Sequence, residues 1–398
     1  MSITAETYRD PAFLRSQIDA ITGFYDPVVI DHEIGGYFDA LKDDGTVYDR
    51  TTRHLVGTCR FIYNYSVASM LTGDTQNATS ALHGLAFLRD AHRQPDGGYA
   101  WVLSGRNISD GTRYAYGHAF VLLAAATAAK ASIDTAEPMI SELYDLLESH
   151  FWSPHAQLYV DAISPDDWST IDPYRGQNAN MHMCEAMIAA HEATGEARYL
   201  DRAYLLARRI CVDLASKTNG LIWEHFTPDW KVDWTYNIDD PKNLFRPYGY
   251  LSGHFVEWAR LLVTLHGLRP EPWMTERAQA LFKIAVDMAW DSENGGMHYS
   301  FAPDGTILDT DRYYWVLAEA IAAAALLASH TGDPEYWSWY DAFWDYSHRH
   351  LIDHDYGGWY RVLDLHGRKY DDLKSPPAKT DYHPLSACYT ALQALGAA

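Results

Sequence analysis

The 398-residue chain carries a formal net charge of −22 and a pI near 5.1, with no run of lysine or arginine. A nucleic acid or an anionic membrane surface would not find the positive footprint it needs here. Hydrophobic residues at 47 % and aromatics at 14 %, including 14 Trp and 28 Tyr, supply a large core and the material for an aromatic-lined pocket.

Met1-Ser2-Ile3-Thr4-Ala5-Glu6 has no basic segment followed by an apolar one, and the longest apolar stretch, residues 321–328, is too short to cross a bilayer. A cytoplasmic protein is expected. The four cysteines, Cys59, Cys184, Cys211 and Cys388, are scattered without metal-site spacing and read as small buried thiols.

A helix is predicted over residues 11–29, and then a short phrase begins to repeat. It reads Gly35-Gly36-Tyr37-Phe38-Asp39, Gly97-Gly98-Tyr99-Ala100-Trp101, a degenerate Gln157-Leu158-Tyr159-Val160-Asp161, Gly220-Leu221-Ile222-Trp223-Glu224, Gly295-Gly296-Met297-His298-Tyr299 and Gly357-Gly358-Trp359-Tyr360-Arg361. Successive copies begin 62, 60, 63, 75 and 62 residues apart, so the repeat fills the chain and implies one domain over 1–398. Between copies the apolar spacing predicts helix pairs over 53–71 and 76–91, 112–131 and 136–151, 176–193 and 197–216, 247–267 and 271–290, and 311–329 and 334–350. A last helix is predicted over 379–395. Gly73-Asp74, Gly195-Glu196 and Gly332-Asp333-Pro334 turn one helix of a pair into the next. The glycine phrases read as short β-hairpins turning at Asp44-Gly45, Asp304-Gly305 and His366-Gly367.

Twelve helices in six hairpins predict an all-α (α/α)6 barrel of six inner and six outer helices with short β-hairpin loops, since a closed ring leaves no terminal repeat unburied. The first helix of each pair is small and apolar, as in Ile321-Ala322-Ala323-Ala324-Ala325, and is assigned to the inner ring. The second carries more charge and is assigned to the outside. The N-terminal ends of the inner helices then share one mouth.

Titratable side chains on a buried helix cost desolvation unless paired, which marks them as site candidates. Near the mouth these are Arg53 with His54, Tyr114 with His118, Asn178 with His182 and Glu185, His254 with Glu257, Trp315 with Glu319, and Asp381 with His383. Three histidines at one mouth, His182, His254 and His383, point to acid/base chemistry near neutrality. Of the basic residues that open the inner helices, most are assigned to bonding the adjoining hairpin, and Arg53 is moved towards the site. The remaining histidines, His92 among them, are expected at exposed or turn positions. No HExxH or other metal spacing occurs, no cofactor is expected, and phosphate-loop, dinucleotide and serine-elbow motifs are absent.

Residues Arg175 to Ala186, with Gln177-Asn178-Ala179-Asn180-Met181-His182 at their centre, together with Gly253-His254-Phe255-Val256-Glu257-Trp258 and Asp381-Tyr382-His383-Pro384, resemble the N-acylglucosamine 2-epimerase superfamily over essentially the whole chain. The likeness is to its bacterial aldose–ketose isomerase branch, acting on mannose and sulfoquinovose. It implies a metal-free (α/α)6 barrel in which His254 and His383 form the acid/base pair. Through a cis-enediol they would convert an aldohexose to its 2-ketose, with mannose to fructose preferred. It also implies that Arg53, Asn178, His182 and Glu257 bind sugar hydroxyls or orient the catalytic groups, Glu257 by holding the His254 imidazole. Tyr114, Trp315 and Glu319 are further candidates for the sugar's faces and hydroxyls. The expected partner is a monosaccharide, and a homo-oligomer is compatible with this. The alternatives are a sugar 2-epimerase of the glucose/mannose or cellobiose type, a glycoside hydrolase using Glu257 and Glu319, and a non-catalytic sugar-binding barrel.

Overall fold

The computed structural model describes residues 5–133, 136–243 and 245–398; Met1 to Thr4 of the leader reading lie outside the described residues. A single turn, α1 (Ala5–Tyr8), precedes the first outer helix, α2 (Pro11–Tyr25). The inner helices are α3 (Leu55–Thr72), α5 (Ala115–Lys130), α7 (Gln177–Thr194), α9 (Ser252–Leu268), α11 (Tyr314–Thr331) and α13 (Tyr382–Ala394). Their outer partners are α4 (Thr75–Phe87), α6 (Glu137–Leu146), α8 (Ala197–Arg208), α10 (Pro272–Ala289), α12 (Pro334–Tyr346) and α2, which packs on α13 and closes the ring. The expected (α/α)6 barrel is the observed one.

The two rings differ in burial as their compositions demand. Outer helix α8 buries only the stripe Tyr199, Ala203, Leu206 and Ala207. Inner helix α11 is buried at every position from Tyr314 to Ala325 and emerges only at its C-terminal end. Helix α11 is long and apolar enough to span a bilayer, with a mean hydropathy of 1.2, where the sequence suggested too short a stretch; 78 % of it is buried inside the protein. Inner helices α3, α7 and α11 end on Gly73, Gly195 and Gly332 in the left-handed conformation, and Asp74 and Asp333 cap the following outer helices. Four outer helices, α4, α6, α8 and α12, finish in a wider π-type turn. All four cysteines are buried and free.

The glycine phrases do form hairpins at Asp44-Gly45 and Asp304-Gly305, but they also join neighbouring repeats. The strand before each of five inner helices pairs with the strand that follows the next phrase: 52–54 with 102–104, 113–114 with 162–163, 175–176 with 225–226, 250–251 with 300–301 and 312–313 with 362–363. The fifth residue of each phrase from the second to the sixth then caps an inner helix through its carbonyl. Leu55 N–H donates to Trp101 O (2.9 Å), Ala115 to Asp161 (2.8 Å), Gln177 to Glu224 (3.2 Å), Ser252 to Tyr299 (3.0 Å) and Tyr314 to Arg361 (3.2 Å). Those fifth residues are thereby set at the mouth. In the third copy, without glycines, Gln157 itself adopts the left-handed backbone, at φ 57°. The 75-residue step holds an added loop, residues 227–248.

Outer helix α4 is held against the first phrase by Gly84, where a Cβ would lie 2.3 Å from the Tyr37 hydroxyl and 2.6 Å from Ile62 Cγ1. Tyr37 is buried and its hydroxyl donates to Ser80 O at 2.6 Å, so it cannot simply withdraw. Gly84→Ala is expected to lower stability by about 1–3 kcal/mol through overpacking, read as a reduced urea midpoint with an unchanged slope.

Candidate active site

Six inner helices deliver a polar cluster into an apolar ring. From α7 come Gln177, Asn178, His182 and Glu185; from α9 His254, Glu257 and Arg260; from α11 Trp315 and Glu319; from α13 His383; from α3 Arg60; and from α5 Tyr116. His182, His254 and His383 are each no more than 5 % exposed. Trp315 links two of them, its ring centroid 5.3 Å from His254 and 5.7 Å from His383. That ring lies flat against α9 because Gly253 leaves room: a Cβ there would be 2.3 Å from it.

Each histidine is tied through Nδ1 to a carboxylate. His383 Nδ1 stands 2.7 Å from Glu319 Oε1, His254 Nδ1 2.8 Å from Glu224 Oε1, and His182 Nδ1 3.2 Å from Glu185 Oε2. Trp258 Nε1 donates to Gln177 Oε1 (2.8 Å), which turns the Gln177 amide nitrogen towards Glu224 Oε2 (3.0 Å) and His254. On the other side of His383, Nε2 faces Arg60 Nη2 at 3.3 Å. A guanidinium can only donate, so His383 Nε2 is an acceptor and its proton sits on Nδ1. Burial first, and then the Arg60 charge, hold this imidazole well below the ordinary histidine range. Burial likewise lowers His182, against the pull of Glu185.

The carboxylates converge on Arg260, which donates from Nη2 to Glu185 Oε1 at 2.8 Å and from Nε to Glu319 Oε2 at 2.7 Å. Burial raises Glu185, but Arg260 and His182 outweigh it and keep the group ionised. Glu257 lies 3.8 Å from Arg260 and 3.6 Å from His182, and neither of its oxygens has a hydrogen-bond partner among the described residues. Burial and the neighbouring Glu319 and Glu185 charges push it well above the carboxylate range, which favours its neutral form. Asn178 Oδ1 is also buried and unpartnered. Buried polar atoms of this kind mark where a bound hydroxyl-rich ligand would complete the bonding. His182, Glu185 and Glu257, and separately Glu257, Glu319 and His383, bring ligand atoms within 4.8 Å of one another. A metal ion there would compete with Arg260, which already carries the positive charge that these carboxylates bind.

His182, His254, His383, Glu257, Trp315 and Glu319 thus come together as the sequence suggested, with four changes of role or place. Glu257 does not hold His254; Glu224 does, reaching across from the fourth glycine phrase. Glu319 is turned to His383 and Arg260 rather than left free, which also weakens the Glu257/Glu319 hydrolase reading: the two lie side by side on adjacent helices beside one arginine. Tyr114 stands at the start of α5 with its ring tilted against Trp101, centroids 4.6 Å apart, while Tyr116 is the residue against His182, at 5.0 Å. Arg53 precedes α3 on a strand and is fully buried in an ion pair with Asp31 at 2.5 Å and over Phe38. Arg312 with Asp291 (2.6 Å) and Arg113 with Asp96 repeat this strut. The cation at the site is Arg60. His118 accepts from Tyr99 N–H (3.2 Å) and is structural, and His92, expected at the surface, is buried against Ala100 O (3.0 Å). The signal for Arg60 and Arg260 was available: an arginine in the middle of an otherwise apolar inner helix.

Residues 36–387 match the N-acylglucosamine 2-epimerase (GlcNAc 2-epimerase) family. The chain is 49 % identical to D-mannose isomerase of Marinomonas mediterranea over 96 % of its own length and 97 % of the relative's. It is 37 % identical to D-mannose isomerase of Thermobifida fusca, over 88 % of its length and 85 % of the relative's. A crystal structure of D-mannose isomerase superposes with a TM-score of 0.96 at 48 % identity, covering 98 % of this chain and 100 % of that one.

The two arginines should behave differently on substitution. Arg53→Met leaves Asp31 buried without its cation and is expected to cost about 3–5 kcal/mol of stability, with the His383 ring signals unmoved. Arg60→Met is expected to raise the protonation midpoint of His383, measured by ¹⁵N NMR of the imidazole, since one of the forces holding it down is gone.

Proposed function

This chain belongs to the N-acylglucosamine 2-epimerase family and is an isomerase of sugars, and we propose that it interconverts an aldohexose with its 2-ketose, mannose and fructose above others. The observation that carries the reading is the pair His254 and His383 beside Trp315, each with Nδ1 on a carboxylate, so that the chemistry falls to Nε2, which on His383 must exchange its contact with Arg60 for one with substrate.

With the sugar ring open, His383 takes the proton from C2 on its Nε2 lone pair. The electrons form the C1–C2 double bond, and the carbonyl oxygen O1 receives a proton from His254, whose Glu224 partner stabilises the imidazolium form. The product is a cis-enediol. His383 then returns its proton to C1 while His254 removes the proton on O2, giving the ketose. No metal ion enters this scheme. Glu257, as a neutral acid, and Asn178 are assigned to the sugar's hydroxyls, with His182 oriented by Glu185. Return of a proton to the opposite face of C2 would give the 2-epimer instead, so the epimerase differs in one step only.

Incubation of chelator-treated protein with mannose in deuterium oxide is expected to give fructose carrying deuterium at C1 to the extent that the proton held on His383 exchanges with solvent before its return. His254→Ala and His383→Ala should each lower kcat by about 10²–10⁴-fold, and Glu224→Gln should lower kcat with little change in KM. Glucose deuterated at C2 would select the epimerase. Cleavage of a glycosidic bond would select the hydrolase, and no product from any free hexose would sink the reading.

A further inference from the structure

His254 has to present Nε2 to two oxygens in turn, O1 and then O2, and a ring that swung about its Cβ–Cγ bond between the two transfers would miss the second. Its carboxylate partner, Glu224, is a loop side chain and needs fixing itself. Gln177, the first residue of α7, grips Glu224 at both ends. Its backbone N–H donates to the Glu224 carbonyl at 3.2 Å, and its side-chain amide nitrogen donates to Glu224 Oε2 at 3.0 Å. The same nitrogen stands 2.9 Å from His254 Nδ1, on which Glu224 Oε1 closes at 2.8 Å. Nδ1 therefore has a donor and an acceptor beside it. A bare Nδ1 accepts from the Gln177 amide and a protonated one donates to Glu224, so the ring keeps a partner in one orientation in either state.

The amide is oriented from its other end. Trp258 stands one turn after His254 on α9, and its indole N–H, which can only donate, meets Gln177 Oε1 at 2.8 Å. With the oxygen committed to the indole, the nitrogen faces Glu224 and His254; a flipped amide would set oxygen against the Glu224 carboxylate and N–H against the indole N–H. Gln177, Trp258, Glu224 and His254 are all buried. Capping by the Glu224 carbonyl uses only the Gln177 backbone, and an apolar side chain would suit the wall in which Gln177 stands. A buried amide is costly unless bonded, and here each of its bonds leads to His254, to the carboxylate that holds His254, or to the indole that orients the amide.

We propose that Gln177, set by Trp258, is the positioning residue for His254 and keeps its Nε2 aimed at the substrate's oxygens while the ring loses and regains a proton, an inference that rests on the isomerase reading above. Gln177 itself exchanges no proton. The Nε2 proton passes to O1 and the O2 proton returns to Nε2, while Nδ1 keeps its bond to Glu224 Oε1 and the amide holds Oε2. Glu224 is thus prevented from turning away at the moment when the imidazole is neutral and its attraction for the ring is weakest.

Gln177→Met keeps the length of the side chain and the backbone cap of α7 but offers Glu224 and His254 no N–H. It should lower kcat by about 10-fold, a part of the 10²–10⁴-fold that positioned proton transfer typically contributes, with the KM for mannose little changed. Trp258→Phe, which keeps an aromatic ring and removes the indole N–H, should also lower kcat. The double variant should be no slower than Gln177→Met alone, because the indole acts only through the amide. In substrate-free protein the ¹⁵N signals of the His254 ring should shift in Gln177→Met and in Trp258→Phe, while those of His383, held by Glu319 and Arg60, stay in place. An unchanged kcat in folded Gln177→Met, additive losses in the double variant, or His254 signals that do not move in either single variant overturns the proposal. His254 signals that move as expected, in a protein that makes no ketose from any free hexose, would instead overturn the isomerase reading and leave the hold of Gln177 on His254 standing.

Discussion

Arg260 is the group on which the site depends. Three glutamates from three inner helices meet in an almost dry ring, and one guanidinium makes that arrangement possible. Each of the two bonded glutamates is divided between its oxygens. Glu185 gives Oε1 to Arg260 and Oε2 to His182, while Glu319 gives Oε2 to Arg260 and Oε1 to His383. The arginine therefore orients both histidines at one remove. It also offsets much of the negative charge that would otherwise draw a proton onto them, while burial and the Arg60 charge hold the His383 imidazole low beside Glu319. Removing one partner of such a buried pair commonly costs about 3–5 kcal/mol, because a charge is left without compensation.

His254 is held differently. Its carboxylate, Glu224, shares no guanidinium; its other side-chain partner is the neutral Gln177 amide, fixed in turn by the Trp258 indole. The two histidines therefore see unlike surroundings within one cavity, a carboxylate shared with Arg260 and a further arginine for His383, and a carboxylate shared only with a neutral amide for His254. Two groups of one residue type can then take complementary roles, as acid/base pairs set apart by environment do elsewhere.

The ring was legible in the sequence because its period is written in glycine phrases and its inner helices are too apolar to face water. The three histidines were legible because polar residues on such helices need a reason. Glu224 was not, although it stood in plain sight at the end of the fourth phrase. It lies 30 residues from His254 in a loop, and only the pairing of 175–176 with 225–226 carries it over. The exchange of Arg53 for Arg60 has a similar cause. Seven residues before Arg60, Arg53 reads in the sequence as the cation at the head of α3, but it belongs to a strand and turns to Asp31, whereas Arg60 lies within the helix and meets His383. Periodicity locates a helix to within a turn, and here that turn decides which side of the wall a guanidinium occupies.

The glycine phrase is more than a joint between helices. Its fifth residue caps the preceding inner helix through the backbone, and this leaves the side chain free to vary at a fixed place on the mouth. Trp101, Asp161, Glu224, Tyr299 and Arg361 occupy that place in five repeats, while the carbonyl of Asp39 in the first accepts from the Ser375 hydroxyl instead, at 2.9 Å. Asp39 and Asp161, pushed up by burial to about 7, serve the scaffold, Asp161 by accepting from Gly176 N–H at 2.8 Å. Glu224, one methylene longer than an aspartate, reaches past the helix start to a histidine. Because the cap requires only a carbonyl, any side chain is compatible with it, and the scaffold's stability does not constrain the chemistry offered there. A repeated fold of this kind can therefore assemble an asymmetric site: five equivalent backbone positions, each secured without its side chain, with one of them turned to a buried histidine.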